Sequence, residues 1–271
     1  MPRCIPTAIA RAGISAILAR PTRDPNMIER HLDIATAEGA INSFVVHPEK
    51  AGPHPVVLFY MDAPGKREEL HDMARRLASV GYCVVLPNLY YRRTRDFWLT
   101  ARTEPLMAVM FELMHSLTNA MVVEDTQAIC KFLTTEPYAD ASRIGAVGYC
   151  MSGPFVMAAA AALPDQIKAI ASIHGANLVT DRDDSAHLMA PRIGCESYFA
   201  CAETDRWASK EIVDTLEAAL VAGGTPHRIE WYPGTEHGFV FPRREGVYHQ
   251  AGAERHWERL FDLFRRTLQK Q

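Results

Sequence analysis

Residues Arg143-Ile144-Gly145-Ala146-Val147-Gly148-Tyr149-Cys150-Met151-Ser152-Gly153-Pro154 decide the architecture of this 271-residue chain. An apolar run ends in Gly148-Tyr149-Cys150-Met151-Ser152-Gly153, and the Ala-rich helical stretch Phe155–Leu163 follows at once. A strand that turns abruptly into a helix has this form, and the turn lifts one side chain above the end of a sheet. The turn is tight, so it needs small residues around its apex. Gly148 lies two residues before Cys150, Ser152 two after, and Gly153 next. The apex is therefore a cysteine, placed as a nucleophile. Centring the turn on Ser152 puts Cys150 and Pro154 at the flanking positions and breaks the small-residue rule. A buried structural thiol is the ordinary state of a free cysteine, but the strand-to-helix context sets Cys150 apart.

Outward from this turn, apolar runs alternate with helical periodicity. Residues 30–46 alternate as a hairpin that turns at Glu38-Gly39. Pro55–Met61 is continuously apolar, as expected of a strand buried on both faces. Lys66–Val80 repeats apolar residues at helical spacing through Leu70, Met73, Ala74, Leu77 and Ala78, and Gly81 ends it. Tyr82–Leu86, Ile167–Ile173, Ile193–Ala200 and Arg228–Trp231 read as further strands. Residues 105–134 hold two helical stretches, and Ser209–Ala222 and Ala251–Leu268 supply two more helices. Such alternation predicts an α/β protein with a mostly parallel central sheet and helices on both faces. No repeat or internal linker appears, so residues 27–271 are expected to form one domain.

Composition narrows the function. Twenty-nine basic residues stand against 32 acidic ones, for a net charge of −3, and hydrophobic residues make up 48%. No charge excess points to nucleic acid or to a membrane surface. No apolar run approaches the roughly 18 residues of a spanning helix. Six cysteines (Cys4, Cys83, Cys130, Cys150, Cys195 and Cys201) form no C-x-x-C pair and no metal spacing. Buried thiols in a reducing, cytoplasmic setting account for most of them. Residues 1–26 carry Arg3, Arg11, Arg20 and Arg23 with no acid before Asp24. They read as a leader of uncertain order rather than a transit segment, with the natural beginning at Met27.

A cysteine nucleophile needs a base and a group that orients the base. The strand around Tyr198–Cys201 runs into Glu203 and Asp205, where an acid sits at the functional edge of an open sheet. Asp205 could instead cap the following helix, and Glu203 is its nearest rival. The stretch Trp231-Tyr232-Pro233-Gly234-Thr235-Glu236-His237-Gly238-Phe239 places a histidine directly after the last strand. None of the other ten histidines has that position. Cys150, Asp205 and His237 thus follow the order nucleophile, acid, histidine.

At these residues the chain resembles the dienelactone hydrolase family (carboxymethylenebutenolidases), α/β-hydrolases with a Cys-His-Asp triad. The family's elbow, Gly-Tyr-Cys-Leu-Gly-Gly, is close to Gly148–Gly153. Its Gly-x-x-His-x-Phe is matched by Gly234–Phe239, and its Pro-Asp-Leu-Tyr-x-Arg by Pro87–Arg92. The resemblance implies hydrolysis of a small-molecule ester or lactone, without metal or cofactor, by a monomer or homodimer. It implies that Cys150 attacks, His237 acts as base, and Asp205 fixes the imidazole. It places the oxyanion donors at the backbone N–H groups of Met151 and Ala63. It puts Asp62 where the family has a thiol-activating Glu, and it matches Arg92 to one of two substrate-carboxylate arginines. The position of the second holds Phe241, with Arg243 and Arg244 nearby. His174 and Trp207 are expected to line the pocket. For Arg92, a solvated or salt-bridged arginine is an equal alternative to a substrate clamp. The Met-rich stretch Leu106–Met114 could be a lid, although a stripe facing the core is the plainer expectation. Other readings on the same scaffold are a general carboxylesterase or thioesterase, and a ligand- or redox-sensing protein without turnover. A haloalkane dehalogenase would need an Asp at the elbow.

Overall fold

The computed structural model describes residues 26–269. The expected leader, residues 1–26, lies outside the described residues apart from Asn26. Eight strands form one sheet in the order β1-β2-β4-β3-β5-β6-β7-β8. The edge hairpin joins β1 (Met27–Thr36) to β2 (Gly39–Pro48), with Thr36 opposite Gly39 as the Glu38-Gly39 turn requires. β2 also pairs antiparallel with β4 (Cys83–Pro87). All later pairings are parallel: β4 with β3 (His54–Tyr60), then β5 (Ala139–Tyr149), β6 (Ile167–Ile173), β7 (Glu196–Thr204) and β8 (His227–Glu236). β3 and β4 are buried along their whole length, which is why their sequences are apolar on both faces.

Two glycines of β5 show where the helices lie. Gly145 and Gly148 are three residues apart and so face opposite sides of the sheet. A Cβ on Gly145 would meet Phe264 and Leu268 of α6 (Gln250–Leu268), whereas one on Gly148 would meet Val156 of α4 (Gly153–Ala162). α1 (Glu68–Ala78) shares the α6 side, where Arg76 pairs with Glu254 and Tyr82 meets Phe264 edge-on. It buries Leu70, Met73, Ala74, Leu77 and Ala78, the helical face read from the sequence. α4 is buried all round from Gly153 to Ala161. It packs against β6 and against α3 (Asn119–Leu133). α5 (Lys210–Ala222) turns Val213, Leu216 and Leu220 inward.

The strand order fixes where a site can form. After β3 the chain moves outward to β4, then crosses back to place β5 on the other side of β3. At this reversal the loops leaving β3 and β5 part to opposite faces, and a crevice opens beyond their carboxyl ends. Asp62 and Ala63 follow β3, and Cys150 and Met151 follow β5, so all four residues edge that crevice.

Candidate active site

The elbow is built by steric exclusion. Cys150 has φ +55°, the left-handed region that costs a residue with a Cβ roughly 1–2 kcal/mol. The turn survives because its neighbours leave no alternative. A Cβ on Gly148 would collide with the Ser152 carbonyl oxygen, and one on Gly153 would lie 2.6 Å from Ser172 Oγ and 2.7 Å from the Gly175 Cα. Cys150 is left half-buried. Ser152 is fully buried, and its Oγ donates to the Met61 carbonyl at 2.6 Å. The hydroxyl that departs from the family pattern therefore braces the elbow to the exit of β3 and is closed to substrate. The other described cysteines are buried or half-buried. Burial pushes Cys83, Cys130 and Cys201 up to about 12 and Cys195 to about 11, so they stay protonated.

Asp205 directly follows β7 and His237 directly follows β8. His237 Nδ1 donates to Asp205 Oδ2 at 2.7 Å, and Asp205 Oδ1 accepts the Trp207 backbone N–H at 2.8 Å. Asp205 is thus held on both oxygens, and the ring is oriented with Nε2 as the free nitrogen. That Nε2 is buried and has no hydrogen-bond partner among the described residues. Burial pulls the His237 pKa down, but the Asp205 hydrogen bond and the interaction with Cys150 outweigh it and raise the imidazole to about 9. Glu203 accepts instead from the Gly234 backbone N–H. His174 lies behind His237, ring centroids 4.8 Å apart in an edge-on contact, fully buried at φ +39°. It supports the His237 ring from beneath and does not line the cavity as the sequence reading expected. Burial holds it well below the usual histidine range, so it adds no charge there.

Around the β3 exit, side chains that the sequence did not mark complete the site. Asp62 is held by both terminal nitrogens of Arg67, at 2.5 and 3.1 Å, and Arg67 also donates to Glu69 at 2.7 Å. The other Glu69 oxygen accepts the Arg243 backbone N–H at 2.7 Å, and the Arg67 guanidinium lies 5.2 Å from the Phe241 ring centre. This network ties the β3 exit, the start of α1 and the loop after His237 together, and it occupies both Asp62 oxygens. The buried Tyr90 hydroxyl donates to the Ala63 carbonyl at 2.9 Å and lies 3.3 Å from the Met151 sulfur. It spans the two residues expected to provide the oxyanion donors.

A cavity of about 760 Å³ opens over these residues, lined by Cys150, His237, Asp62, Ala63 and Trp207 among others. Arg92 is absent from its lining. Both Arg92 terminal nitrogens bind Asp125 at 2.8 Å, its Nε binds Glu38, and it packs on the Tyr91 ring. Of the two readings for Arg92, the structure shows the salt-bridged one, because buried Asp125 consumes the guanidinium. Lys66, Arg102, Arg206 and Arg244 do line the cavity, and none has a carboxylate partner within ion-pair distance among the described residues. Burial and the neighbouring Arg102 pull Arg244 below the usual guanidinium range. Among the described residues, no group of three or more His, Cys, Asp or Glu side chains converges to hold a metal ion, and no single helix is long and apolar enough to cross a membrane.

Known proteins share this sequence pattern and fold. The model of the dienelactone hydrolase family matches residues 41–268. A protein of Methylorubrum extorquens named "Putative carboxymethylenebutenolidase" is 28% identical over 267 residues, which span 95% of this chain and 88% of that one. A protein of Synechocystis with the same name is 26% identical over 231 residues, 84% of this chain and 92% of that one. Among solved structures, a "Putative Dienelactone Hydrolase" from Klebsiella pneumoniae superposes with a TM-score of 0.79 at 25% identity, covering 88% of this chain and 98% of that one. The chain belongs to the dienelactone hydrolase family and is a hydrolase of carboxylic ester bonds on the α/β-hydrolase fold.

Proposed function

We propose that this protein hydrolyses a carboxylic ester or enol-lactone through a covalent acyl-cysteine. Cys150 is the nucleophile, His237 the base and Asp205 the orienting acid. The observation that carries this reading is the 2.7 Å His237–Asp205 hydrogen bond, with His237 and the strained Cys150 in one cavity. A ligand receptor has no use for an oriented imidazole beside the thiol.

The steps follow from the groups present. The thiol proton passes to His237 Nε2, and sulfur attacks the carbonyl carbon. The backbone N–H groups of Met151 and Ala63 meet the developing oxyanion. The carbon–oxygen bond to the alcohol breaks as His237 returns the proton to the leaving alkoxide. Water, deprotonated by His237, then attacks the thioester, and the acid departs as Cys150 recovers its proton. Asp62 acts through Arg67 to hold the Ala63 loop, and does not activate the thiol directly. Trp207 positions Asp205 through its backbone N–H. Arg102 and Arg244, two of the cavity cations without a carboxylate partner among the described residues, would contact an anionic group of the substrate, a part Arg92 is not free to play. We place the enzyme in the cytoplasm, where its thiols stay reduced.

Hydrolysis of p-nitrophenyl acetate, a dienelactone and an acyl thioester tests the reading. Wild type turns over at least one of them. Cys150→Ala and His237→Ala each lose roughly 10³-fold or more in kcat. Full activity in Cys150→Ala overturns the proposal.

A further inference from the structure

Helix α2 (Glu104–His115) has no part in the bond changes above, yet it forms one wall of the catalytic cavity. Met107, Met110, Phe111 and Met114 stand at helical spacing on a single face, and all four line the cavity that holds Cys150 and His237. Trp98 and Leu99, from the segment before the helix, line it too. The helix is strongly apolar in sequence, but only Met110 and Leu113 are buried. Trp98 is 48% exposed. This face is therefore only partly covered by the protein core, and its apolar surface is continuous with the reacting thiol.

The shape and chemistry of this wall select a ligand. The cavity is large within the range of roughly 300–1,000 Å³ usual for ligand sites, and an acetyl or lactone carbonyl at Cys150 leaves most of it unfilled. Methionine side chains are flexible and polarizable and adapt to a chain of variable shape, unlike a rigid aromatic slot. Burying such a chain stabilises the complex by about 0.8 kcal/mol per methylene group.

We propose that the substrates are esters of medium-chain, flexible apolar acids, with the acyl chain laid along Met107, Met110, Phe111 and Met114 and the carbonyl at Cys150. This rests on the hydrolase reading above and adds the acid that is released.

The test compares kcat/KM for p-nitrophenyl acetate, butyrate and octanoate. The expected result is a preference for octanoate over acetate of at least about tenfold. That preference falls toward one in Met107→Asp and Phe111→Asp. Equal or better use of acetate by wild type overturns the acyl-chain proposal while leaving the hydrolase intact. A second arm does not depend on turnover. Calorimetry on Cys150→Ala measures binding of N-octanoyl- and N-acetyl-p-nitroanilide, with the octanoyl compound expected to bind at least about tenfold tighter. Equal binding of the two overturns the proposal even if no ester in the panel is hydrolysed.

Discussion

In the proposed mechanism the charge of His237 bears on both rate and stability. Its folded pKa, about 9, lies above the ordinary histidine value of about 6.5. The imidazolium therefore contributes stability that is fully present below about pH 6.5 and is lost as pH rises through about 9, on the order of 3 kcal/mol in all. To take the thiol proton His237 must be neutral, so the acidic limb of kcat/KM should rise near pH 9. In Asp205→Asn the limb moves down toward the ordinary histidine value and kcat drops by about 10²–10⁴. A pH–rate profile of the two proteins checks this, and a limb that does not move removes Asp205 from its role. Arg67 offers a second test. Arg67→Met leaves Asp62 and Glu69 buried without their cation, which should cost about 3–5 kcal/mol in urea denaturation. A loss below about 1 kcal/mol would show that the network is dispensable.

Elements place these residues, and the elbow is the element with the least freedom. Gly148→Ala sets a Cβ against the backbone oxygen of Ser152, whereas Gly145→Ala meets only the ends of Phe264 and Leu268. Thermal denaturation should rank Gly148→Ala, at about 3 kcal/mol, well above Gly145→Ala, at about 1 kcal/mol. The reverse order would mean that the turn can relax. The elements themselves were legible because each carries a local signal. β6 lies at Ile167–Ile173 as read, and the hairpin turns at Glu38-Gly39. Boundaries were less legible. β7 begins at Glu196 rather than Ile193 and runs on to Thr204, and β8 extends to Glu236, because pairing with a neighbour can hold residues whose own pattern is weak. The methionine stripe of α2 shows another limit. Its period marks an apolar face, but nothing local says whether that face meets core or cavity. Tyr90 and the Arg92–Asp125 pair were illegible for a related reason: their partners are chosen by tertiary approach across distant positions, 27 residues apart for Tyr90 and Ala63 and 33 for Arg92 and Asp125.

For the molecule as a whole, stability is distributed unevenly. The sheet and its flanking helices form one continuous buried cluster. The stretch between β4 and α2 has no helix or strand, and α2 itself buries little. Segments with few buried contacts open first. Limited trypsin digestion should therefore cut first, among the described residues, at Arg93, Arg95 or Arg102, with fragments identified by mass spectrometry. First cuts within α6 or the edge hairpin would contradict that ranking. The placement of Cys150, Asp205 and His237 was readable in advance because all three follow strands directly, and the parallel sheet brings those strand ends to one edge.

The left-handed backbone at Cys150 has an evolutionary corollary. Under the proposed mechanism, a side chain held there is a standing conformational debt, kept up only while turnover is selected. Glycine and asparagine sit in that region with far less penalty. In a lineage that no longer needs the reaction, drift at position 150 is biased toward those two residues, and the loss of chemistry would be accompanied by a sturdier fold.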